Sequence, residues 1–211
     1  FTTNHYLKTF GVSVKETMVL RRDQRAEVSD EQIVAAVGLP CFVKPNGGGS
    51  SFGTNKVKVI EELAHALDAA FAEGSEVMIE AFMSGTELTC GCYKTRQRSV
   101  VLPPTEVVPQ NEFFDYDAKY NGQVSEITPA RISADDTRRV QQLTSAIYDI
   151  LHTNGIIRVD YILSHDDKLR MLEVNTTPGM TATSFIPQEV AANGQQMRDV
   201  LTEIIENQMG E

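Results

Sequence analysis

Residues 155–175 carry the pattern that most constrains the fold, two largely apolar segments joined by a short polar stretch. The sequence reads GIIRVDYILSHDDKLRMLEVN, and apolar side chains alternate with polar ones on either side of Asp166 and Asp167. Alternation with a period of two is typical of a half-buried β-strand. We therefore predict an antiparallel hairpin that turns at these two aspartates.

The position of the turn decides which residues lie opposite each other. With the turn centred on the two aspartates, Asp160 faces Glu173 and Arg158 faces Asn175. Because side chains alternate along a strand, these four share one face of the hairpin. The other face is apolar and is expected to join the core; it carries Ile157, Val159, Tyr161, Leu163, Leu172 and Val174.

The two facing carboxylates predict a metal site. Opposed residues in a sheet have Cβ atoms about 5 Å apart, and two carboxylates so close repel unless a cation or a proton lies between them. Mg²⁺ takes oxygen ligands, which Asp160, Glu173 and Asn175 can supply. Arg158 adds a fixed positive charge that suits an anionic transition state. The alternative is an ordinary polar sheet face in which Arg158 pairs with either acid.

The segment VKPNGGGSSFG, residues 43–53, predicts a phosphate-binding flap between two strands. Glycine lets backbone N–H groups approach a phosphate closely, and Ser50 and Ser51 add hydroxyl donors. A Walker loop places its lysine after the glycines, whereas Lys44 precedes them here. Lys44 is therefore a candidate phosphate ligand. The alternative is a flexible connection with Lys44 lying along the surface.

A third candidate element is the segment EVMIEAFMSGTE, residues 76–87. Met78, Glu80 and Phe82 share one face of the predicted strand, so an acid lies between two large apolar side chains. Such an acid could accept a hydrogen bond from an adenine amine, and Glu87, after the turn, could bind ribose hydroxyls. The alternative is an edge strand whose acids are solvated.

The pattern along the whole chain is α+β, in two lobes that divide near residue 84. The predicted domains are a small lobe, residues 1–84, and a large lobe, residues 85–211. The small lobe contains the glycine-rich flap and the large lobe contains the hairpin. Residues 110–123 fit neither the helix nor the strand period and predict a long loop of the omega type.

Composition limits the kinds of partner. The 211 residues are 41% hydrophobic and 23% charged, which suits a packed core. The formal net charge of −10 disfavours nucleic-acid binding through Lys and Arg, and no apolar run approaches the roughly 18 residues of a membrane span. Cys41, Cys90 and Cys92 have no accompanying Cys/His pair, so we expect buried free thiols in a cytoplasmic protein rather than a metal site.

Five motifs occur in order between residues 42 and 184: VKPNGGGSSFG, IEAFMSGTE, FFDYDAKY, RVDY and LEVNTTPGMTATS. Together they resemble the ATP-grasp ligases, and more closely the D-alanine–D-alanine ligases. The segment DYDAKY and the last motif are specific to this branch, whereas the glycine loop and the Glu/Asn strand are shared more widely. The resemblance implies the ATP-grasp fold, in which antiparallel sheets form two α+β lobes and the nucleotide lies between them.

The resemblance also implies a nucleotide site. Lys44 would contact the phosphates, Glu80 the adenine amine and Glu87 the ribose, while the Met83 backbone would bind the adenine edge. Two Mg²⁺ ions, for which Mn²⁺ could substitute, would be held by Asp160, Glu173 and Asn175. The full set of implied ATP-binding residues is Lys44, Ser51, Glu80, Phe82, Met83, Glu87 and Leu172.

The implied reaction joins two D-alanines for peptidoglycan synthesis. ATP phosphorylates the carboxylate of one D-alanine, the amine of the second attacks the acyl phosphate, and phosphate leaves. Arg158 and the Gly179 amide would stabilise the tetrahedral intermediate, and Ser184 would bind the carboxylate of the second D-alanine. Lys119 would reach the transferred phosphate. The hydrogen-bonded seal that closes the loop 110–123 over the site would be formed by Tyr120 and Ser50.

Two features of the family find no match in this sequence. Its members begin with a further domain that helps to bind the first D-alanine, and they carry a phosphate-binding lysine before the helix that corresponds to Thr3–Leu7. We therefore expect this chain alone to bind ATP but make little or no dipeptide. The resemblance also implies that the intact enzyme forms a homodimer.

Two alternatives to a dipeptide ligase stay open. One is another ATP-grasp carboxylate–amine ligase, such as a D-alanine–D-lactate enzyme, against which Tyr120 after Lys119 argues. The other is a non-catalytic ATP-binding module, against which the joint presence of Arg158, Lys119 and Ser184 argues.

Overall fold

The computed structural model describes residues 1–47, 53–109 and 124–210. The helices in these ranges are α1 (Thr2–Thr9), α2 (Asp30–Val37), α3 (Leu63–Glu73), α4 (Ala134–Ile150), α5 (Phe185–Ala192) and α6 (Met197–Met209). The strands are β1 (Thr17–Arg21), β2 (Cys41–Pro45), β3 (Asn55–Val57), β4 (Glu76–Ala81), β5 (Gly85–Lys94), β6 (Ser99–Val101), β7 (Thr105–Pro109), β8 (Val124–Ile127), β9 (Ile156–Ser164) and β10 (Leu169–Asn175). None of the described helices is both long enough and apolar enough to cross a membrane.

The chain divides into two compact units. The first is built mainly from Val14–Ser84, and the second from Thr3–Ser13, Gly85–Val108 and the residues from Ser125 onward. The helix α1 thus packs with the second unit although it precedes the first in sequence. Each unit combines helices with an antiparallel sheet, which confirms the predicted α+β class.

The first unit contains a four-stranded sheet in the order β1-β4-β2-β3. Helices α2 and α3 cover one face of it, where Leu20, Ile33, Val43, Leu67 and Ile79 form part of a single buried cluster. The start of α2 is fixed locally, because Ser29 and Gln32 form a reciprocal capping box. Alternation along β4 puts Met78 and Glu80 on the face opposite to Ile79.

The second unit contains a six-stranded sheet in the order β10-β9-β5-β7-β8, with β6 also paired to β5. Helices α5 and α6 contribute to a core cluster against this sheet, formed by Tyr93, Leu102, Ile156, Ile186, Val190 and Val200. The long helix α4 begins at Ser133, whose hydroxyl accepts the Asp136 backbone N–H. The strands β5 and β9 are central in this sheet, and the polar side chains of Thr89, Arg158 and Asp160 lie on the face against which α5 also packs.

The predicted hairpin is confirmed as β9 and β10. Glu173 pairs with Asp160, and Asn175 pairs with Arg158, as the sequence predicts. These four residues therefore share one region of the sheet, at the end of the hairpin away from its turn.

The turn and the core face of β10 differ from the prediction. Near the turn, Leu169 pairs with Leu163, so the hairpin is centred on Asp166 alone rather than between two aspartates. The register then shifts between Met171 and Glu173, since a bulge adds one residue to one strand. Met171 is buried as a result, whereas Leu172 is only half-buried. The prediction that Leu172 lies on the core face was wrong for this reason.

The three cysteines are free and buried, as predicted. Burial raises the pKa of the Cys41 thiol to about 11 and that of Cys92 to about 12. Burial also raises the pKa of Cys90 well above its usual value. The thiols are therefore protonated near neutral pH and pack as small core side chains.

Candidate functional site

In the first unit, the predicted residues Lys44 and Glu80 lie together. Glu80 pairs with Phe42 across β2 and with Thr17 across β1. Lys44 is two residues beyond Phe42, and Lys15 is two residues before Thr17, so both lysines approach Glu80 diagonally from neighbouring strands. Lys15 Nζ lies 2.6 Å and Lys44 Nζ 2.8 Å from the same oxygen, Glu80 Oε2.

Glu80 is a buried charged group, with 2% of its surface exposed. Burial acts to raise its pKa, but the charges of Lys15 and Lys44 outweigh burial and the net result is a lowered pKa. The strand β4 lies between β1 and β2 in the sheet. The alternative of a solvated acid on an edge strand is therefore wrong.

Phe82 and Met83 follow the end of β4. Phe82 donates its backbone N–H to the Pro40 carbonyl at 3.0 Å, and its ring packs 5.9 Å from the Phe42 ring. Lys56 Nζ lies 3.9 Å from the centre of the Phe82 ring, in a cation–π contact. Met83 is half-buried. An aromatic ring thus lies at the end of the strand that carries Glu80.

In the second unit, Asp160 is the centre of a polar cluster. Arg158 donates to both of its oxygens, from Nε to Oδ1 and from Nη2 to Oδ2, each at 2.9 Å. The Thr89 hydroxyl donates to Asp160 Oδ1 at 2.6 Å from the neighbouring strand β5. The pairing of Arg158 with an acid, foreseen as the alternative to a metal site, is present in the structure.

Asn175 connects the two facing carboxylates. Its Nδ2 lies 3.1 Å from Asp160 Oδ2 and 3.5 Å from Glu173 Oε1. An amide group can be turned so that its oxygen replaces its nitrogen, and the three side chains would then offer oxygen atoms alone, the ligands that Mg²⁺ prefers. Within the described ranges, no group of three or more His, Cys, Asp or Glu side chains is placed to hold a metal. The candidate set therefore includes an amide beside its two carboxylates.

Arg158 links this cluster to the start of α5. Its guanidinium carbon lies 5.1 Å from the centre of the Phe185 ring, and the side chain is 15% exposed. Burial acts to lower the pKa of Arg158, but the charge of Asp160 and hydrogen bonds to it outweigh burial, so the pKa is raised. The guanidinium therefore stays charged at any physiological pH.

Gly179 and Ser184 also lie together. A Cβ added at Gly179 would lie 2.8 Å from Ser184 Oγ, so only glycine fits there without displacing the hydroxyl. Ser184 Oγ and Thr181 Oγ1 are 2.8 Å apart. Ser184 is also the N-cap residue of α5, although its side chain caps no helix N–H. The Ser184 hydroxyl thus lies beside the Gly179 backbone. Ser184 directly precedes Phe185, the residue whose ring contacts Arg158.

Of the other predicted residues, two lie in the described part of the second unit and the rest lie outside the described residues. Glu87 lies on β5, two residues before Thr89 and therefore on the same face of that strand. Leu172 lies at the bulge, where its carbonyl accepts a hydrogen bond from Asn4 at 3.2 Å. The remainder lie outside the described residues: Ser50, Ser51, Lys119, Tyr120 and the loop 110–123.

Sequence reasoning missed Lys15, Thr89 and Glu189. Lys15 and Thr89 were not recognisable, because their roles depend on which strands are neighbours. Glu189 is fully buried and accepts the Gly91 backbone N–H at 2.7 Å. It takes the place of a strand partner, since β5 pairs with β7 from Glu87 to Thr89 and with β6 from Cys92 to Lys94, and Gly91 lies between these two ranges. The sequence did contain one signal for Glu189, because it is an acidic residue on the face of α5 that otherwise carries the apolar residues Ile186 and Val190.

Comparison with known proteins identifies the family. The family model described as D-ala D-ala ligase C-terminus matches residues 6–206. A D-alanine–D-alanine ligase of Bacteroides fragilis is 67% identical over 207 residues, which are 98% of this chain and 63% of the relative. One from Parabacteroides distasonis is 56% identical over 209 residues, 99% of this chain and again 63% of the relative. The chain thus spans less than two thirds of the length of these relatives.

Solved structures agree with the sequence comparison. The VanG D-Ala:D-Ser ligase of Enterococcus faecalis matches with a TM-score of 0.85 and 31% identity, covering 96% of this chain and 59% of that one. The D-alanine–D-alanine ligase of Bacillus anthracis matches with a TM-score of 0.82 and 31% identity, covering 98% and 66%. The ATP-grasp fold that the motifs predict is therefore confirmed. The chain belongs to the D-alanine–D-alanine ligase family and corresponds to its C-terminal part.

Proposed function

We propose that the protein carrying this chain is an ATP-dependent D-alanine–D-alanine ligase that supplies D-alanyl-D-alanine for peptidoglycan synthesis in the cytoplasm. The observation that carries the proposal is the polar face of the second unit, where Arg158, Asp160, Glu173 and Asn175 adjoin one another. Family membership with 67% identity to a D-alanine–D-alanine ligase supports the same reaction. We further propose that the intact enzyme is a homodimer.

We assign nucleotide binding to the residues that the family resemblance implies. In the first unit, Lys44 binds the phosphates, Glu80 accepts from the adenine amine, and Phe82 and the Met83 backbone contact the base. In the second unit, Glu87 binds the ribose and Leu172 contacts the nucleotide. The support for the first group is the charged pair of Lys44 and Glu80, since a buried carboxylate fixed by lysines is a strong acceptor for an amine N–H.

We assign metal binding to Asp160, Glu173 and Asn175. Two Mg²⁺ ions, or Mn²⁺ in their place, would neutralise charge on the transferring phosphoryl group when bound. The donor set supports this, because it consists of two carboxylates and an amide on one sheet face. Asp160 must then exchange one of its contacts with Arg158 for a contact with the metal.

The chain's own residues stabilise the charges of the two chemical steps. The carboxylate of one D-alanine attacks the γ-phosphorus of ATP, ADP leaves, and an acyl phosphate forms. The amine of the second D-alanine then attacks the acyl carbon, loses a proton, and inorganic phosphate leaves. Arg158 and the Gly179 N–H hold the developing oxyanion, and Ser184 donates to the carboxylate of the second D-alanine.

Three predicted participants lie outside the described residues and complete the proposal. Lys119 would contact the transferred phosphate, and Tyr120 and Ser50 would keep the loop 110–123 closed against water. A closed loop protects the acyl phosphate from hydrolysis.

Phosphate release by the full-length protein tests this proposal. We expect ADP and phosphate to form from ATP in step with D-alanyl-D-alanine when D-alanine is the sole amino acid. Preference for D-lactate or D-serine as second substrate would identify a different ligase of the same fold. Absence of turnover with all three, despite ATP binding, would identify a non-catalytic nucleotide-binding module.

A further inference from the structure

The carboxylate of Glu80 has more than one charged partner. One carboxylate is contacted by two ammonium groups, and the exposed fractions of the side chains are 3% for Glu80, 9% for Lys15 and 25% for Lys44. A structural ion pair needs a single lysine. A second ammonium in so buried a place adds a positive charge that a structural pair does not require, although the chain has a net charge of −10.

The two lysines differ in where they are attached. Lys44 lies at the end of β2, directly before the glycine-rich segment, and its side chain is the more exposed of the two. Lys15 lies just before β1, where the Glu16 carbonyl accepts the Ala81 N–H at 2.9 Å. The backbone next to Lys15 is thus tied to the strand that carries Glu80, so Lys15 is the lysine that can remain on Glu80 when the other leaves.

We propose that Lys15 is a positioning residue of the nucleotide site, which keeps Glu80 charged and fixed while Lys44 turns from Glu80 to the phosphates. Both lysines contact Oε2, and we assign the other oxygen, Oε1, to the adenine amine. The proposal rests on the function proposed above and deepens it, because it assigns recognition of the 6-amino group to a pair of residues rather than to Glu80 alone.

The physical reason is the cost of a buried charge. A carboxylate removed from water keeps its charge only with a partner in hydrogen-bond contact. Without Lys15, Lys44 would be the one lysine in contact with Glu80 among the described residues, and its contact with the phosphates would remove that compensation from Glu80. Nucleotide binding would then lose either the amine contact or the phosphate contact.

Kinetics of the full-length protein with ATP and with inosine triphosphate test the proposal. Inosine triphosphate has the same phosphates and ribose, but a carbonyl oxygen in place of the 6-amino group, so its position 6 can accept a hydrogen bond but cannot donate one to Glu80. In Lys15→Met we expect the KM for ATP to rise about tenfold or more, the loss typical of a charged hydrogen bond. The kcat at saturating ATP should change little, and the preference for ATP over inosine triphosphate should fall by a similar factor.

Three further variants make the test specific. Lys15→Arg keeps a charged donor and should restore most of the preference. Arg21→Met is the matched control, because it removes the basic partner of Glu76 between the same two strands, in an exposed ion pair of 2.9 Å. This variant should leave the KM for both nucleotides unchanged. If Lys15→Met does not fold, as judged by thermal unfolding, Lys15→Gln provides the same comparison with a neutral donor.

The outcomes separate this proposal from the function on which it rests. An unsubstituted protein that consumes no ATP with D-alanine contradicts the proposed function itself. An active protein that does not distinguish the two nucleotides contradicts the role of Glu80, and with it that of Lys15. Equal losses for both nucleotides in Lys15→Met, or no loss for either, would show that Lys15 has a structural role only.

Discussion

Glu80 shows at the scale of a single residue how a buried charge depends on its neighbours. Its folded-state pKa is lowered because Lys15 and Lys44 outweigh the effect of burial. An acid whose pKa is lower in the folded state contributes stability above its unfolded pKa, and this contribution is lost as the pH falls through the folded pKa. The ordinary value for glutamate is 4.5, so the loss lies in the acid range.

Comparison of Glu80→Gln with the unsubstituted chain tests this dependence. The substitution removes the ionisable group. At about pH 6 and above, we therefore expect the unsubstituted chain to have a higher free energy of unfolding than the variant, by an amount that does not change with pH. The difference should narrow below about pH 4.5, where the unfolded-state carboxyl takes up a proton. Urea unfolding over this range measures it, and a difference that grows on acidification would contradict the sign.

Gly179→Ala tests whether the position of Ser184 matters for binding. The added Cβ would lie 2.8 Å from Ser184 Oγ, which must rotate and give up its contact with Thr181. We expect a stability loss of about 1 kcal/mol, the value of one hydrogen bond, and a higher KM for the second D-alanine in the full-length protein.

Gly74→Ala is the matched control for that substitution. Its backbone is extended with φ of −172°, and its nearest neighbour, the Glu76 carbonyl oxygen, is 3.9 Å from the added Cβ. We expect both stability and KM to be unchanged. A normal KM in Gly179→Ala would mean that the Ser184 hydroxyl does not bind the substrate.

At the scale of elements, β5 and β9 hold the polar cluster in place, and α5 packs on the same face of these strands beside the cluster. A Cβ at Gly91 would lie 2.6 Å from Ile186 and 2.8 Å from Glu189 on that helix. We expect Gly91→Ala to destabilise the chain by about 1–3 kcal/mol through overpacking. Thermal unfolding measures the loss, with Gly74→Ala again as control, and an unchanged melting temperature would argue against close packing of α5 on β5.

The hairpin also shows how far sequence reasoning reaches. The alternation predicted an antiparallel hairpin correctly, but Asp160 lies opposite Glu173 only because the bulge between Met171 and Glu173 compensates for the misplaced centre of the turn. The burial of Met171 in place of Leu172 was not predictable, since no signal in the sequence identified the bulge. The central position of β4, which buries Glu80, depends on contacts between distant strands and has no local signature either.

At the scale of the molecule, this chain corresponds to the C-terminal part of the longer members of its family. It covers 63% of the Bacteroides fragilis relative, and the family resemblance assigns part of D-alanine binding to a preceding domain. We predict that residues 1–211 alone bind ATP but form little or no dipeptide, whereas the full-length protein forms it readily. Chromatographic detection of D-alanyl-D-alanine distinguishes the two, and substantial synthesis by residues 1–211 would contradict the prediction.

We propose that the facing carboxylates of β9 and β10 bind the metal that accompanies ATP. The most direct test is calorimetric binding of a non-hydrolysable ATP analogue to this chain, with and without Mg²⁺. The double variant Asp160→Asn/Glu173→Gln is compared with Asp199→Asn/Glu206→Gln, which makes the same charge change at exposed positions of α6.

We predict Mg²⁺-dependent binding in the unsubstituted chain and in the control, and loss of the Mg²⁺ dependence in Asp160→Asn/Glu173→Gln. Binding that responds to Mg²⁺ equally in all three proteins would contradict the assignment of the metal site to this hairpin.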